Sequence, residues 1–250
     1  MDLADVDVLG LQREVEFAED GLAQAVAGQN TTGGAGTIYA ETPADEPGHG
    51  WLILKGNGSG PQANELTNAD PFSDLDAELR FAKVTFTNGV MALVRAGNVF
   101  DLRGCEIVAA DVSGKNNGIR LNGGTLLWPE GEGFVAEVAC RLECVTAPGI
   151  SSKKIVVKPC GNLLINAAWS WAGDVVLSNH ATLSFACDYR IKSLTVNDTT
   201  ARVFLNGHVL KIAKPKPKNW TMPSYVVPGA DADGNPGRIK WVKGILFYVR

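Results

Sequence analysis

The sequence predicts an all-β fold: a single-stranded right-handed parallel β-helix with coils of about 20 residues and a short N-terminal capping helix. Three observations predict it. One strand-and-turn pattern recurs seven times between residues 82 and 209. Its copies stand close to one coil length apart. An amphipathic helical pattern precedes them, where the open end of a solenoid needs cover.

That helical pattern is Leu11, Val15, Ala18, Leu22 and Val26, apolar at intervals of three to four, with Gly28 as a stop. The run Gly33-Gly34-Ala35-Gly36-Thr37-Ile38-Tyr39-Ala40 then reads as a turn into a first strand. Residues 41 to 76, rich in Pro, Gly and acids, read as a loop or an elaborated coil.

The repeat itself is clearest in Phe100-Asp-Leu102-Arg-Gly104, Ile119-Arg-Leu121-Asn-Gly123 and Val203-Phe-Leu205-Asn-Gly207. Allowing any small residue for the glycine adds the copies centred on Phe86, Leu142, Ile165 and Phe185. The central residues 86, 102, 121, 142, 165, 185 and 205 are then 16 to 23 apart. Residues two apart on a strand share a face, so Phe100 and Leu102 are expected to point inward and Asp101 and Arg103 outward. One coil cannot bury such a pair alone. Stacking coils at about 4.8 Å pairs the backbone and continues the apolar column. An antiparallel barrel or jelly roll also yields short, regularly spaced strands, but it calls for Asn-Gly or Asp-Gly hairpins between strands of similar length. Here the glycines recur in one phase of a longer repeat.

Beyond the repeat, Lys214-Pro215-Lys216-Pro217-Lys218 reads as a stiff solvated turn, and the segments at 225–227, 239–242 and 245–249 as strands closing the last coil. The organisation expected is therefore a cap over residues 1–40, coils over 41–213 and closing strands over 214–250.

Composition narrows the function classes. Twenty-three basic against 27 acidic residues leave a net charge of −4, so no overall field draws the chain to nucleic acid or to an anionic membrane. No stretch reaches the roughly 18 apolar residues of a membrane span, and Met1-Asp2-Leu3-Ala4-Asp5 is too acidic to open a secretory signal. The five cysteines, at 105, 140, 144, 160 and 187, lack CxxC spacing and read mostly as small buried apolar residues. Cys140 and Cys144 on one strand would stand about four rises of 3.3 Å apart, too far for a disulfide.

The order of alanine-rich helix, Gly-rich turn and Thr37-Ile-Tyr-Ala40 strand resembles the opening of pectin-lyase-like β-helix proteins. The run Leu205-Asn-Gly-His-Val-Leu-Lys-Ile212 is similar to strands of bacterial surface and autotransporter-passenger members of that superfamily. The resemblance covers roughly residues 11 to 213 and implies a β-helix exposed outside the cell or at its surface. It also implies three sorts of role: polysaccharide lyase or hydrolase, phage tailspike or fibre, and non-catalytic adhesin or stalk.

The outward positions of three consecutive repeats offer Asp101 with Arg103, then Arg120, then Arg141 with Glu143. They are the candidate catalytic residues, since a lyase of this superfamily uses calcium-neutralised carboxylates beside an arginine base. The simpler reading is a charge ladder on a solvated face. Gly48-His49-Gly50 and Arg190-Ile191-Lys192 spell two hydrolase motifs, but they stand far apart without the aspartate elements that should accompany them. Trp128, Trp169 and Trp171 follow strands and are candidates for stacking on sugar rings, with packing at coil corners as the alternative. Asp231, Asp233 and Asn235 have the alternating oxygens of a calcium loop but lack its later Glu, so a plain Asp/Gly turn is favoured. No cofactor is called for, calcium being the one left open.

The function expected is a non-catalytic extracellular or cell-surface module, acting as a stalk, an adhesin or a carbohydrate-contacting surface. Its partners would be a polysaccharide or surface glycan, with neither nucleic acid nor membrane insertion. A lyase or hydrolase acting on an acidic polysaccharide, and a phage fibre segment, are the alternatives.

Overall fold

The computed structural model describes residues 36–40, 49–56, 67–69, 78–109, 117–128, 130–131, 135–150 and 152–242, and two short strands at 16–17 and 23–24. It is a parallel β-solenoid of about six turns. A turn takes about 23 residues, somewhat more than the repeat suggests.

Each complete coil runs through up to three strands, and like strands of successive coils stack into three faces. The second face is continuous: Thr67–Ala69, Val90–Arg95, Gly118–Asn122, Arg141–Cys144, Asn162–Ile165, Thr182–Phe185, Arg202–Phe204 and Val226–Val227 form one eight-stranded sheet, each strand paired in parallel with the next. The first face comes in two pieces. Trp51–Lys55, Lys83–Thr87 and Glu106–Ala109 make the earlier piece. Val135–Val138, Lys154–Val157, Asp174–Leu177 and Ser193–Val196 make the later. Glu130–Gly131 pairs antiparallel on the leading edge of the later piece. The third face is also divided, into Glu78–Arg80, Val99–Asp101 and Thr125–Leu127, then Tyr189–Ile191, Val209–Ile212 and Arg238–Trp241.

Alternation along each strand builds the core. On the second face one inward column runs Ala92, Ile119, Leu142, Leu163, Leu183, Val203 and Val226, all buried. Beside it stand Val94, Leu121 and Cys144, and above them Ile165 on Phe185. Val84 and Phe86 belong to the first face and Phe100 to the third. The seven copies of the repeat are therefore distributed over three faces and do not share one column. From Ile119 onward the copies do share the second face, but with Leu142 on Ile119 and Cys144 on Leu121, a two-residue shift from the sequence alignment. The cause is that Cys144, read from sequence as the small residue of a bend, is itself an inward core position.

The glycine phase has a backbone cause. Gly104, Gly123 and Gly207 adopt φ of 73°, 89° and 84°, a left-handed conformation in which a Cβ is strained. Gly207 is held further, because a Cβ there would lie 2.1 Å from the Asp231 backbone nitrogen of the next coil.

At the N-terminal side, Gly36–Ala40 is a strand as expected and pairs antiparallel with Trp51–Lys55. The segment 41–76 therefore contributes coil structure at Trp51–Lys55 and Thr67–Ala69. The capping helix over 11–27 is not seen among the described residues. Glu16–Phe17 and Ala23–Gln24 are extended and pair antiparallel, and the remainder of that span lies outside the described residues. At the other end Val226–Val227 and Arg238–Trp241 extend the second and third faces, while 245–249 lies outside the described residues.

Candidate functional site

The five charged candidates fall on two different faces. Asp101 ends the third-face strand Val99–Asp101, with Arg103 in the turn that follows, whereas Arg120, Arg141 and Glu143 lie on adjacent second-face strands. The stripe expected from sequence is thus two separate clusters, because the repeat at Phe100 belongs to another side of the coil than those at Ile119 and Leu142.

Asp101 alternates with the inward Phe100 and shares a column with Arg80 and Leu127, yet its side chain is only 1% exposed. Arg103 closes over it. The backbone N–H and Nε of Arg103 donate to Oδ1 at 2.9 Å each, and Nη2 donates to Oδ2 at 2.7 Å. Arg80 Nε stands 3.9 Å from Oδ2. The hydrogen bond from the Arg103 side chain is the largest influence on this carboxyl and holds it below the usual carboxylate range against the cost of burial.

Glu143 sits between two arginines. Arg120 reaches Oε2 through Nε at 2.9 Å and Nη2 at 2.8 Å. Arg141, two residues before Glu143, grips Oε1 through Nε at 3.0 Å and also through Nη2. Burial pushes the carboxyl up, but the hydrogen bonds and charges of Arg141 and then Arg120 outweigh it, and the net shift is downward. Both carboxylates are thus held ionised, each with its oxygens engaged by guanidinium. A general acid needs a carboxyl pushed the other way, and a pair of them facing one substrate. An arginine acts as a base only after losing its own proton, and a carboxylate paired to it holds it as the guanidinium, which has no lone pair to offer.

The tryptophans are packing residues. Trp128 and Trp169 are buried, 6% and 5% exposed, so neither offers a ring face to a sugar. Trp171 is half-buried against the core and donates Nε1 to the Ser152 carbonyl at 2.6 Å. Trp169 and Trp171 lie where the third face has no strand, between its two sheets. Their rings replace the apolar area that a strand would have supplied there.

Asp231, Asp233 and Asn235 form a turn that satisfies itself. Asp231 Oδ1 accepts from the backbone N–H groups of Asp233 at 3.0 Å and Asn235 at 2.8 Å, and Asn235 Nδ2 donates to Oδ2 at 3.0 Å. Asn235, expected to offer an oxygen, instead supplies donors to the carboxylate. Among the described residues no three His, Cys, Asp or Glu side chains converge as a metal site would require.

One charged feature escaped the sequence reading. On the third face Arg190 pairs in register with Lys211 and Lys211 with Lys240, so three exposed basic side chains stack on three consecutive coils. The steps between them are 21 and 29 residues, too unequal for a repeat search to align. No family model, curated protein or solved structure matches this chain.

Proposed function

We propose that this chain is a non-catalytic surface module, a pectin-lyase-like right-handed β-helix that works outside the cell or at its surface by presenting a long, stiff face to a glycan partner. The observation that carries this reading is the state of the two outward carboxylates best placed for catalysis. Asp101 and Glu143 lie on different faces, and each is neutralised by arginines. A solenoid with such faces offers what a stalk or adhesin needs, which is extended area on a rigid core. The test is incubation of the purified chain with polygalacturonate and calcium, followed by absorbance of unsaturated products and by reducing-end assay. No product is expected. Turnover that disappears in Glu143→Gln or Arg120→Met would establish the enzymatic alternative instead.

A further inference from the structure

From the geometry of the third face we infer that Arg190, Lys211 and Lys240 form a linear binding site for an acidic polysaccharide, whose successive carboxylates or sulfates lie along the solenoid axis, one to each coil. This deepens the surface-module reading and rests on it.

The parallel register fixes the geometry. Arg190 pairs with Lys211 and Lys211 with Lys240, so the three stems leave the sheet one above another at the strand spacing of about 4.8 Å. All three side chains are exposed, and among the described residues no acidic side chain forms an ion pair with them. The residues flanking the column in the same sheet carry little compensation. Arg238 adds charge opposite Val209. Asp188, which accepts the Val209 N–H, opposes it as a single negative charge two residues before Arg190, and Lys192 is paired with Asp174.

Like charges facing each other on adjacent strands destabilise a sheet. Outward charges in register on other faces pair as opposites: Arg120 meets Glu143 on the second face, and Lys83 meets Glu106 on the first. Among the described residues this column is the exception, and it lies in a strongly polarised part of the chain. Residues 189–242 hold nine basic and three acidic side chains, leaving fourteen basic and twenty-four acidic in the remainder. A basic strip on an acidic protein focuses attraction on one line of its surface.

Trp241, next to Lys240, continues the inward column on Ile212, and Trp220 packs on it with ring centroids 5.7 Å apart, so this aromatic pair covers the core and takes no part in the basic face. Recognition on this face is therefore by charge, along a line of rungs about 4.8 Å apart. A polysaccharide with about one charge per ring suits this better than duplex nucleic acid. The duplex places a charge every 1.7 Å or so, far denser than the rungs, and the acidic remainder of the chain would repel it.

The experiment measures binding of the full 250-residue chain to immobilised heparin and to immobilised polygalacturonate at low and high salt, with neutral dextran and duplex DNA as comparators. The two acidic arms separate sulfate from carboxylate recognition. Binding to at least one acidic glycan, lost at high salt, is expected. Lys211→Thr, which removes the middle rung and relieves its repulsion, should weaken that binding about tenfold while leaving thermal stability equal or higher. Lys211→Arg should retain the binding. Acidic-glycan binding that survives Lys211→Thr overturns the site but leaves the surface-module reading standing, as does binding confined to dextran. Preference for the duplex over both acidic glycans overturns the choice of polysaccharide. Cleavage of polygalacturonate would refute the surface-module reading itself.

Discussion

Arg120 and Glu143, 23 residues apart in sequence, meet across adjacent coils of the second face with Nη2 and Oε2 2.8 Å apart. Arg141 completes the clamp from the glutamate's own strand. Glu143→Ala would leave two guanidinium groups facing each other in a partly desolvated site. We expect a loss of about 1–3 kcal/mol, between the values typical of exposed and of buried pairs, read as a lowered midpoint in thermal unfolding. Replacing all three residues by methionine should recover most of it, since the loss comes from uncompensated charge. A Glu143→Ala midpoint equal to that of the wild type would show that the clamp contributes nothing.

The same groups set a pH response. Asp101, Glu143 and Asp174 have folded-state carboxyls held below their ordinary values. In Asp174 the hydrogen bonds from Lys192 and then Ser193 are the largest causes. A lowered folded value means that the unfolded chain binds the proton more readily, so the stabilisation is complete above the ordinary carboxylate range, about pH 4–5. It is lost as pH falls through that range and then through the lower folded values. Thermal midpoints should be flat from about pH 7 to 5 and drop below that. Glu143→Gln should start lower at neutral pH and fall less steeply. A wild-type midpoint that rises on acidification would contradict the sign.

Coil spacing makes a separate demand at Gly118. It pairs with Met91 on one side and Arg141 on the other, and a Cβ there would lie 1.9 Å from the Arg141 carbonyl oxygen. Gly118→Ala must therefore push two backbones apart, and we expect a loss of about 3 kcal/mol or more, or failure to fold. Gly149 is the control. Nothing lies within 4 Å of its added Cβ, so Gly149→Ala should be neutral or mildly stabilising through the unfolded state. Equal effects at the two positions would undo the distinction.

The strand-and-turn pattern was legible because the turn needs a left-handed residue and the strand needs two inward apolar ones, as in Leu205-Asn206-Gly207, where φ is 49° and 84° at the last two. The faces were not. The pattern is the same whether a strand leaves the second face, as at Leu121, or the third, as at Leu102, because an inward residue followed by a corner is common to both. Local sequence thus carries the coil but not the side of it. The charge clusters depended on that missing information, so Asp101 and Glu143 looked like neighbours, while the column at Arg190 stayed invisible until register joined residues 21 and 29 apart. Trp169 followed the same logic, since a ring after a strand looks exposed until the absent third-face strand shows what it replaces.

Cysteine reactivity offers an independent check on the register. Cys144 stacks on Leu121 as a core residue, fully buried, and Cys140 just before the same strand is buried as well. Burial pushes both thiols up to about 12. The thiolate is the nucleophile, so at pH 8 only about one molecule in ten thousand would carry it at either position, and the core screens that fraction from reagent. Peptide mass spectrometry after native treatment with iodoacetamide should find Cys140 and Cys144 unmodified, and both alkylated once guanidinium unfolds the chain. Had the sequence alignment been the true register, Cys144 would occupy a corner and react in the folded protein. Rapid native labelling of Cys144 would therefore displace Leu142 from Ile119 and require the second-face column to be redrawn.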